Sequence, residues 1–442
     1  MKFEFLKLVK CPYCDSYLET EYILDEKDDE LINGLVKCEC SHFPILKGIL
    51  ILTEGYSKYR IVELVREGRN EEAIMRCLWP ENFGNITSFR QLSLPAFLGL
   101  PWTIGTFLSR IAKKRISRKL YRQYSNRSVS FFDLMGNSPS DEYFKHRFST
   151  DSFWSIYPFI PILKKKNERI LDLNCGVGHG SFVLSDYGEP RQLVSLDKEF
   201  RHLYLAKKYF SSDSQFICHD SNFPLPFENG IFSSIVISDA LHYVRSRNAL
   251  VREMNRILSA KSLLLLLHVH NALTFNLGAG FPLSPNSCID ILRRNLGGAQ
   301  IAIKAMPEKK VIHDFLLKNK LDLMAKYSED ELNSSNALVF FATHDRSLIT
   351  AYSNIDREFL KIKDNLIINP LYRIKEEADK ILLKCPDPAL PFDYFPFSEK
   401  YLVRKYAIDK RYAKGRLISG SNPQVATLMR KFIAINVPKG YM

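Results

Sequence analysis

The chain has 442 residues, too many for one ordinary core, and its 46% hydrophobic and 25% charged residues are those of a globular protein. Its nine cysteines are an odd number, and Cys77, Cys175, Cys218, Cys288 and Cys385 stand singly. This argues against a disulfide framework and for a reducing compartment with one metal cluster. The net charge of +13 invites a polyanion, so where the charge sits matters more than its sum.

The first 55 residues read as a compact cysteine-bearing unit. Their opening, MKFEFLKLVKCPYC, has no apolar stretch of signal-peptide length. LLLLL at 263–267 is far short of the ~20 residues that span a bilayer. A cytoplasmic protein without a transmembrane segment is expected. Cys11-Pro-Tyr-Cys14 is followed after 23 residues by Cys38-Glu-Cys40, and four thiolates in two close pairs suit tetrahedral zinc. His42, two residues on, leaves a three-cysteine, one-histidine site open, as well as loss of the metal. Each of these outcomes is structural, because none keeps a coordination position free for catalysis. The stretch GLVKCECSHFPILKGILIL, with Phe43-Pro44-Ile45 and Gly48-Ile49-Leu50, resembles the zinc-ribbon family of small activator subunits that serve RNA and protein methyltransferases.

Residues 56–130 read as helices and connectors, beginning with the helical spacing of IVELVREGRNEEAIMRCLW. The most apolar window follows at 92–108, with Phe97, Leu98, Trp102 and Phe107. Then comes a run from Arg110 to Arg127 without an acid, including Lys113, Lys114 and Arg115. A solvated helix face, a nucleic-acid (RNA) contact and a peripheral membrane contact all fit that run.

Residues 131–270 alternate short apolar runs with amphipathic stretches, the pattern of a parallel α/β domain. RILDLN, QLVSLD, QFICHD, SSIVIS and SLLLLLHV are the candidate strands. The first runs into a glycine turn, ILDLNCGVGHG at 170–180. A P-loop would need a lysine after the turn, and a dinucleotide fold would space its glycines differently. Aspartates then close the next two strands: Asp197 after QLVSL and Asp220 after QFICH, the latter followed by SNFPLPF, GIFS and SIVISDALHYV.

This ordered set, over roughly residues 165–270, resembles the class I S-adenosylmethionine-dependent methyltransferases of the kind found in quinone biosynthesis. The resemblance implies a Rossmann-like α/β fold with a seven-stranded sheet, here with the zinc ribbon before it and mainly helical or irregular additions. It also implies a cofactor site. Asp172 would hold the methionine amino group, and the backbone around Asn174, Gly176 and Gly178 would lie against the cofactor. Asp197 would take the ribose hydroxyls, Asp220 and Ser221 the adenine, and Ser238 would border the cofactor with its backbone. Asn174 stands where a glycine is usual, and asparagine tolerates positive φ better than most residues. His242, just past the fourth strand, is the first choice for a proton acceptor, ahead of His268 and His270 at the end of the fifth.

The expected divisions are a zinc ribbon (1–55), a helical acceptor-binding region (56–130), the methyltransferase domain (131–345) and a C-terminal extension (346–442). The last hundred residues look irregular, with Phe392, Tyr394, Phe395 and Phe397 clustered. The leading expectation is methylation of a small-molecule, sugar or lipid-linked acceptor. RNA methylation and a catalytically inactive scaffold are the competing readings, and intact Asp172, Asp197 and Asp220 argue against the last.

Overall fold

The computed structural model describes residues 1–53, 58–78, 130–135, 141–166, 168–187, 192–276, 280–297, 300–355, 365–385 and 402–441. The apolar window at 92–108, the basic run at 110–127 and the aromatic cluster at 392–397 lie outside them.

Five parallel strands form the centre: β5 (Ile170–Leu173), β6 (Leu193–Asp197), β7 (Gln215–Cys218), β8 (Phe232–Ser238) and β9 (Leu258–His270). β10 (Ala302–Pro307) and β12 (Ala337–Thr343) complete one side, with β12 antiparallel to both β9 and β10. The order is β7-β6-β5-β8-β9-β12-β10. Strand order therefore reverses beside β5, the point at which open α/β sheets place a ligand, outside the carboxyl ends of the strands. The central strands are near-continuous apolar runs because helices cover both faces. Alternate residues of β9 feed two cores: Leu263, Leu265 and Leu267 enter one, Leu264 and Leu266 the other.

The sheet does not stop at seven strands. β1 (Glu19–Lys27), β2 (Glu30–Lys37), β3 (His42–Leu46) and β4 (Ile49–Ile51) come from the cysteine-bearing unit, and β4 runs parallel to β7 with Ile49 opposite Phe216. The result is one eleven-stranded sheet. The seven-strand expectation fails because the edge of β7 is covered: β4 is fully buried and satisfies backbone groups that an edge strand would leave open. The new edge, β1, is charged and largely exposed, as an unpaired edge should be.

Helices α1 (Lys58–Arg66) and α2 (Asn70–Leu78) follow the unit, as their spacing predicts. On the central strands lie α3 (His179–Tyr187), α4 (Phe200–Tyr209) and α5 (Arg247–Ile257), followed by α6 (Pro285–Asn295) and α7 (Glu308–Lys318). VIHDFLLKNKLDLM has helical spacing throughout, but its helix runs only to Lys318. Asn319 then turns left-handed at φ 53° and caps the helix, and β11 (Lys320–Asp322) follows.

The irregular reading of the tail fails as well. Asn365–Ile368 pairs with Leu417–Ile418 and Ala434–Val437, and Arg373–Glu376, Lys380–Lys384 and Lys405–Asp409 form a second small sheet. These strands are two to five residues long with charged flanks, too short to show a period. Their packing decides them: Tyr372 and Tyr441 are fully buried, and Phe131 donates its amide to Gly440.

Candidate active site

The glycine turn lies between β5 and α3. Asn174, Gly176 and Gly178 all take left-handed φ, at 60°, 55° and 95°, so an asparagine does serve in the position where glycine is usual. Gly178 is fixed by packing too, since a Cβ there would meet the Ala206 Cβ of α4 at 2.7 Å. Gly176 has open space at its Cβ position, which leaves its backbone approachable from the crevice side.

Asp172 is buried beneath the turn. It accepts a hydrogen bond from Ser181 Oγ at 2.6 Å, and Ser181 in turn lies 2.9 Å from Ser195 Oγ on the neighbouring strand. Burial, then the nearby Asp197 charge, push its carboxyl up to about 7 against the Ser181 bond. Asp197, at the end of β6, accepts from the Gly176 amide at 2.9 Å and the Glu199 amide at 3.0 Å, with His202 Nδ1 at 3.6 Å. Burial opposes its ionisation, but His202 and these two amides hold the carboxyl below its ordinary value. It therefore ties the glycine turn to the next strand. Asp220 Oδ1 accepts from the Asn222 amide at 2.9 Å and from its side chain at 2.8 Å, shaping the loop after β7 in which Ser221 is buried. Ser238 ends β8 half-buried. The three aspartates, the turn and both serines all lie at the carboxyl ends of β5 to β8.

Over the ends of β8 and β9 the structure assembles a polar cluster only partly foreseen. Asp239 follows β8 at φ 56°, and His268 sits at φ 49° where the β9–β12 register shifts. Left-handed non-glycine residues beside a bulge re-aim their side chains. His270 Nε2 and His268 Nε2 both converge on Asp239 Oδ1, at 3.3 Å and 3.9 Å. Tyr143 donates to the other oxygen, Oδ2, at 2.8 Å, and Arg147 Nη1 lies 3.6 Å from it. Glu308, at the start of α7, lies 2.6 Å from His268 Nδ1. Burial works against the Asp239 charge, but His268, His270 and Arg147 hold its carboxyl far below the carboxylate range. Burial likewise opposes charge on His268, yet Glu308 and Asp239 push it up to about 9.

His242, the favoured proton acceptor, is buried in a single 3-10 turn and stacks on His270 with ring centroids 4.0 Å apart. Neither ring nitrogen has a hydrogen-bond partner. Burial, then His270, lower it to about 4. Sequence spacing brought His242, His268 and His270 forward but missed Asp239, Glu308, Tyr143 and Arg147. Asp239 was visible as the residue directly after SIVIS. Glu308 lies 40 residues from His268, and no local signal links them.

The cysteine-bearing unit supplies a separate donor set. Cys11, Cys14, Cys38 and Cys40 gather their sulfurs, with Cys11–Cys40 at 3.6 Å, Cys14–Cys38 at 3.8 Å and Cys38–Cys40 at 3.5 Å. Tetrahedral zinc–thiolate bonds of ~2.3 Å place their sulfurs about 3.8 Å apart, so the four fit such an ion. His42 is engaged elsewhere, its Nδ1 2.5 Å from Glu21 with Arg66 alongside.

A family model described as a methyltransferase domain matches residues 171–266. A demethylmenaquinone methyltransferase of Thermotoga maritima is 28% identical over 122 residues, which are 28% of this chain and 52% of that protein. A malonyl-[acyl-carrier protein] O-methyltransferase of Legionella pneumophila is 28% identical over 119 residues, 25% of this chain and 39% of that protein. The chain thus spans about half the length, or less, of these curated relatives. Among solved structures, an S-adenosylmethionine-dependent methyltransferase of Mesorhizobium loti shares 17% identity, covering 43% of this chain and 97% of that one at a TM-score of 0.32. No helix among the described residues is long and apolar enough to cross a membrane. Residues 171–266, with the strand order and glycine turn described above, match the methyltransferase-domain family.

Proposed function

We propose that the chain transfers a methyl group from S-adenosylmethionine to a small-molecule or carrier-linked acceptor, with a zinc ribbon as a structural part of the same sheet. The observation that carries this is the placing of Asp172, Asp197 and Asp220 at the carboxyl ends of three adjacent parallel strands around a left-handed glycine turn. The cofactor supplies an activated methyl on a sulfonium, so the protein's work is alignment and exclusion of water. In this reading Asp172 faces the methionine ammonium, Asp197 the ribose hydroxyls, and Asp220 with Ser221 the adenine. The backbones of Asn174, Gly176, Gly178 and Ser238 border the cofactor.

His242, with both ring nitrogens unpartnered, accepts the acceptor's proton. The two curated relatives act, by their names, on demethylmenaquinone and on a carrier-bound malonyl group, which favours an acceptor of that size. Cys11, Cys14, Cys38 and Cys40 hold zinc. Its role is structural, since four thiolates fill the tetrahedron.

Calorimetry with S-adenosylhomocysteine tests the cofactor site. Asp197→Ala is expected to weaken binding by about 1.5–3 kcal/mol, the scale of hydrogen bonds to a charged group. Unchanged affinity would remove Asp197 from the site, and no binding by the wild type would overturn the reading.

A further inference from the structure

We propose that Asp239, His268 and His270 bind one divalent transition-metal ion, and that its remaining positions hold an oxygen of the methyl acceptor. The ion site stands on the geometry alone; its use toward an acceptor rests on the methyltransferase reading.

The distances accommodate an ion, with His270 also within direct hydrogen-bond reach of Asp239 at 3.3 Å. The three donor atoms lie within 4.8 Å of one another. Ligands each about 2.0–2.2 Å from a shared ion are spaced roughly 3–4.3 Å apart, and the observed 3.3 Å and 3.9 Å fall inside that range. A separation of 3.9 Å is too long for His268 to donate directly to Asp239. The four sulfurs of the ribbon show the same kind of convergence at 3.5–3.8 Å.

The surroundings are those of a ligand set. Tyr143 and Arg147 take Oδ2 of Asp239 and leave Oδ1 facing both imidazoles. Glu308 holds His268 by Nδ1, the carboxylate–histidine support common behind metal-bound imidazoles. Held by Glu308 at Nδ1, His268 turns Nε2 toward Asp239 Oδ1. A divalent ion bound there would take the place of the Nε2 proton, so ion uptake releases a proton. Two further groups point to an incomplete site: Glu308 Oε1 and both nitrogens of His242 are buried without partners.

Charge and donor type narrow the ion and its ligand. Once both imidazoles are neutral ligands, Asp239 and Glu308 against Arg147 leave one net negative charge. A divalent ion turns this into one positive charge, which an ionised acceptor oxygen would cancel. Two imidazoles and one carboxylate suit manganese, iron or zinc better than the all-oxygen preferences of magnesium or calcium. Three protein ligands leave positions open, as in catalytic rather than structural sites. The acceptor atom nearest the ion is therefore a hydroxyl or carboxylate oxygen.

The test is a Mn²⁺ titration of the full chain, followed by the loss of the free-ion paramagnetic resonance signal, with zinc content measured in the same samples. The wild type should take up one Mn²⁺ per chain beyond the ribbon zinc. Asp239→Asn, which keeps a residue tolerant of φ 56°, and His270→Gln should each weaken uptake by roughly tenfold to a hundredfold. Zinc content and circular dichroism should stay at wild-type values, which shows the fold is intact. No second ion in the wild type with Mn²⁺, Co²⁺ or Zn²⁺, or unchanged uptake in both variants, would overturn the site. Calorimetry with S-adenosylhomocysteine on the same protein separates the two readings. Ion uptake without nucleoside binding refutes the methyltransferase reading alone, and the converse refutes the ion alone.

Discussion

Asp172 carries two demands that conflict in the free protein. It is buried beneath the glycine turn, which pushes its carboxyl up to about 7, yet the proposed function needs it ionised against an ammonium. Binding then selects the deprotonated form. Affinity for S-adenosylhomocysteine should be full above pH 7 and fall by up to about tenfold per unit below it. Asp172→Asn should weaken binding and remove that dependence, and calorimetry between pH 5.5 and 8 would show both. The turn's glycines divide in the same physical way. Gly176→Ala meets open space and carries only the left-handed backbone cost, about 1–2 kcal/mol. Gly178→Ala adds a clash with Ala206 at 2.7 Å and should cost about 1–3 kcal/mol more. Urea unfolding of the two variants side by side would rank them. From sequence alone the two glycines were alike.

At the scale of elements, the cysteine-bearing unit and the central sheet are continuous. β4 lies against β7, and the Leu52 amide donates to the Cys218 carbonyl. The loop that follows β7 carries Asp220. If Cys11, Cys14, Cys38 and Cys40 hold zinc as proposed, stripping it should do more than loosen the N-terminal hairpins. Hydrogen exchange after chelation is expected to show lost protection across β1 to β4, and also along β7, with weaker nucleoside affinity. Protection lost in residues 1–46 alone would mean that the shared edge contributes nothing to the site. The cysteine pairs were legible because Cys11 and Cys14, and Cys38 and Cys40, sit close in sequence. The β4–β7 pairing was not, because 165 residues separate Thr53 from its neighbour Cys218.

Across the whole molecule, the C-terminal segment returns to the cofactor domain. Tyr441 is fully buried among Phe131, Phe132, Phe148 and Phe210. Its hydroxyl donates to the Phe144 carbonyl and receives His179 Nε2 at 3.0 Å. His179 opens α3, the helix that follows the glycine turn. Tyr441→Ala should therefore cost about 3–5 kcal/mol by leaving a cavity. Tyr441→Phe should cost about 1–3 kcal/mol by orphaning the His179 donor and the Phe144 carbonyl. Denaturant unfolding of the full chain measures both. If the extension were a dispensable addition, neither change would lower the stability of the cofactor domain.

The sequence by itself determined the central strands, the glycine turn, the closing aspartates and the two cysteine pairs. Each is written in neighbouring residues: apolar runs of strand length, residues that tolerate positive φ, and ligands a few positions apart. Tertiary structure decided what depends on distant partners. It joined the cysteine-bearing unit to the sheet, turned short charged strands into two small sheets, and drew Tyr143, Arg147, Asp239, His268, His270 and Glu308 together. Those six come from two α-helices, a 3-10 turn, two strand ends and a bulge, and they meet only when the whole core closes. No periodicity encodes such a meeting, since the energy that fixes it is released only when the whole core closes.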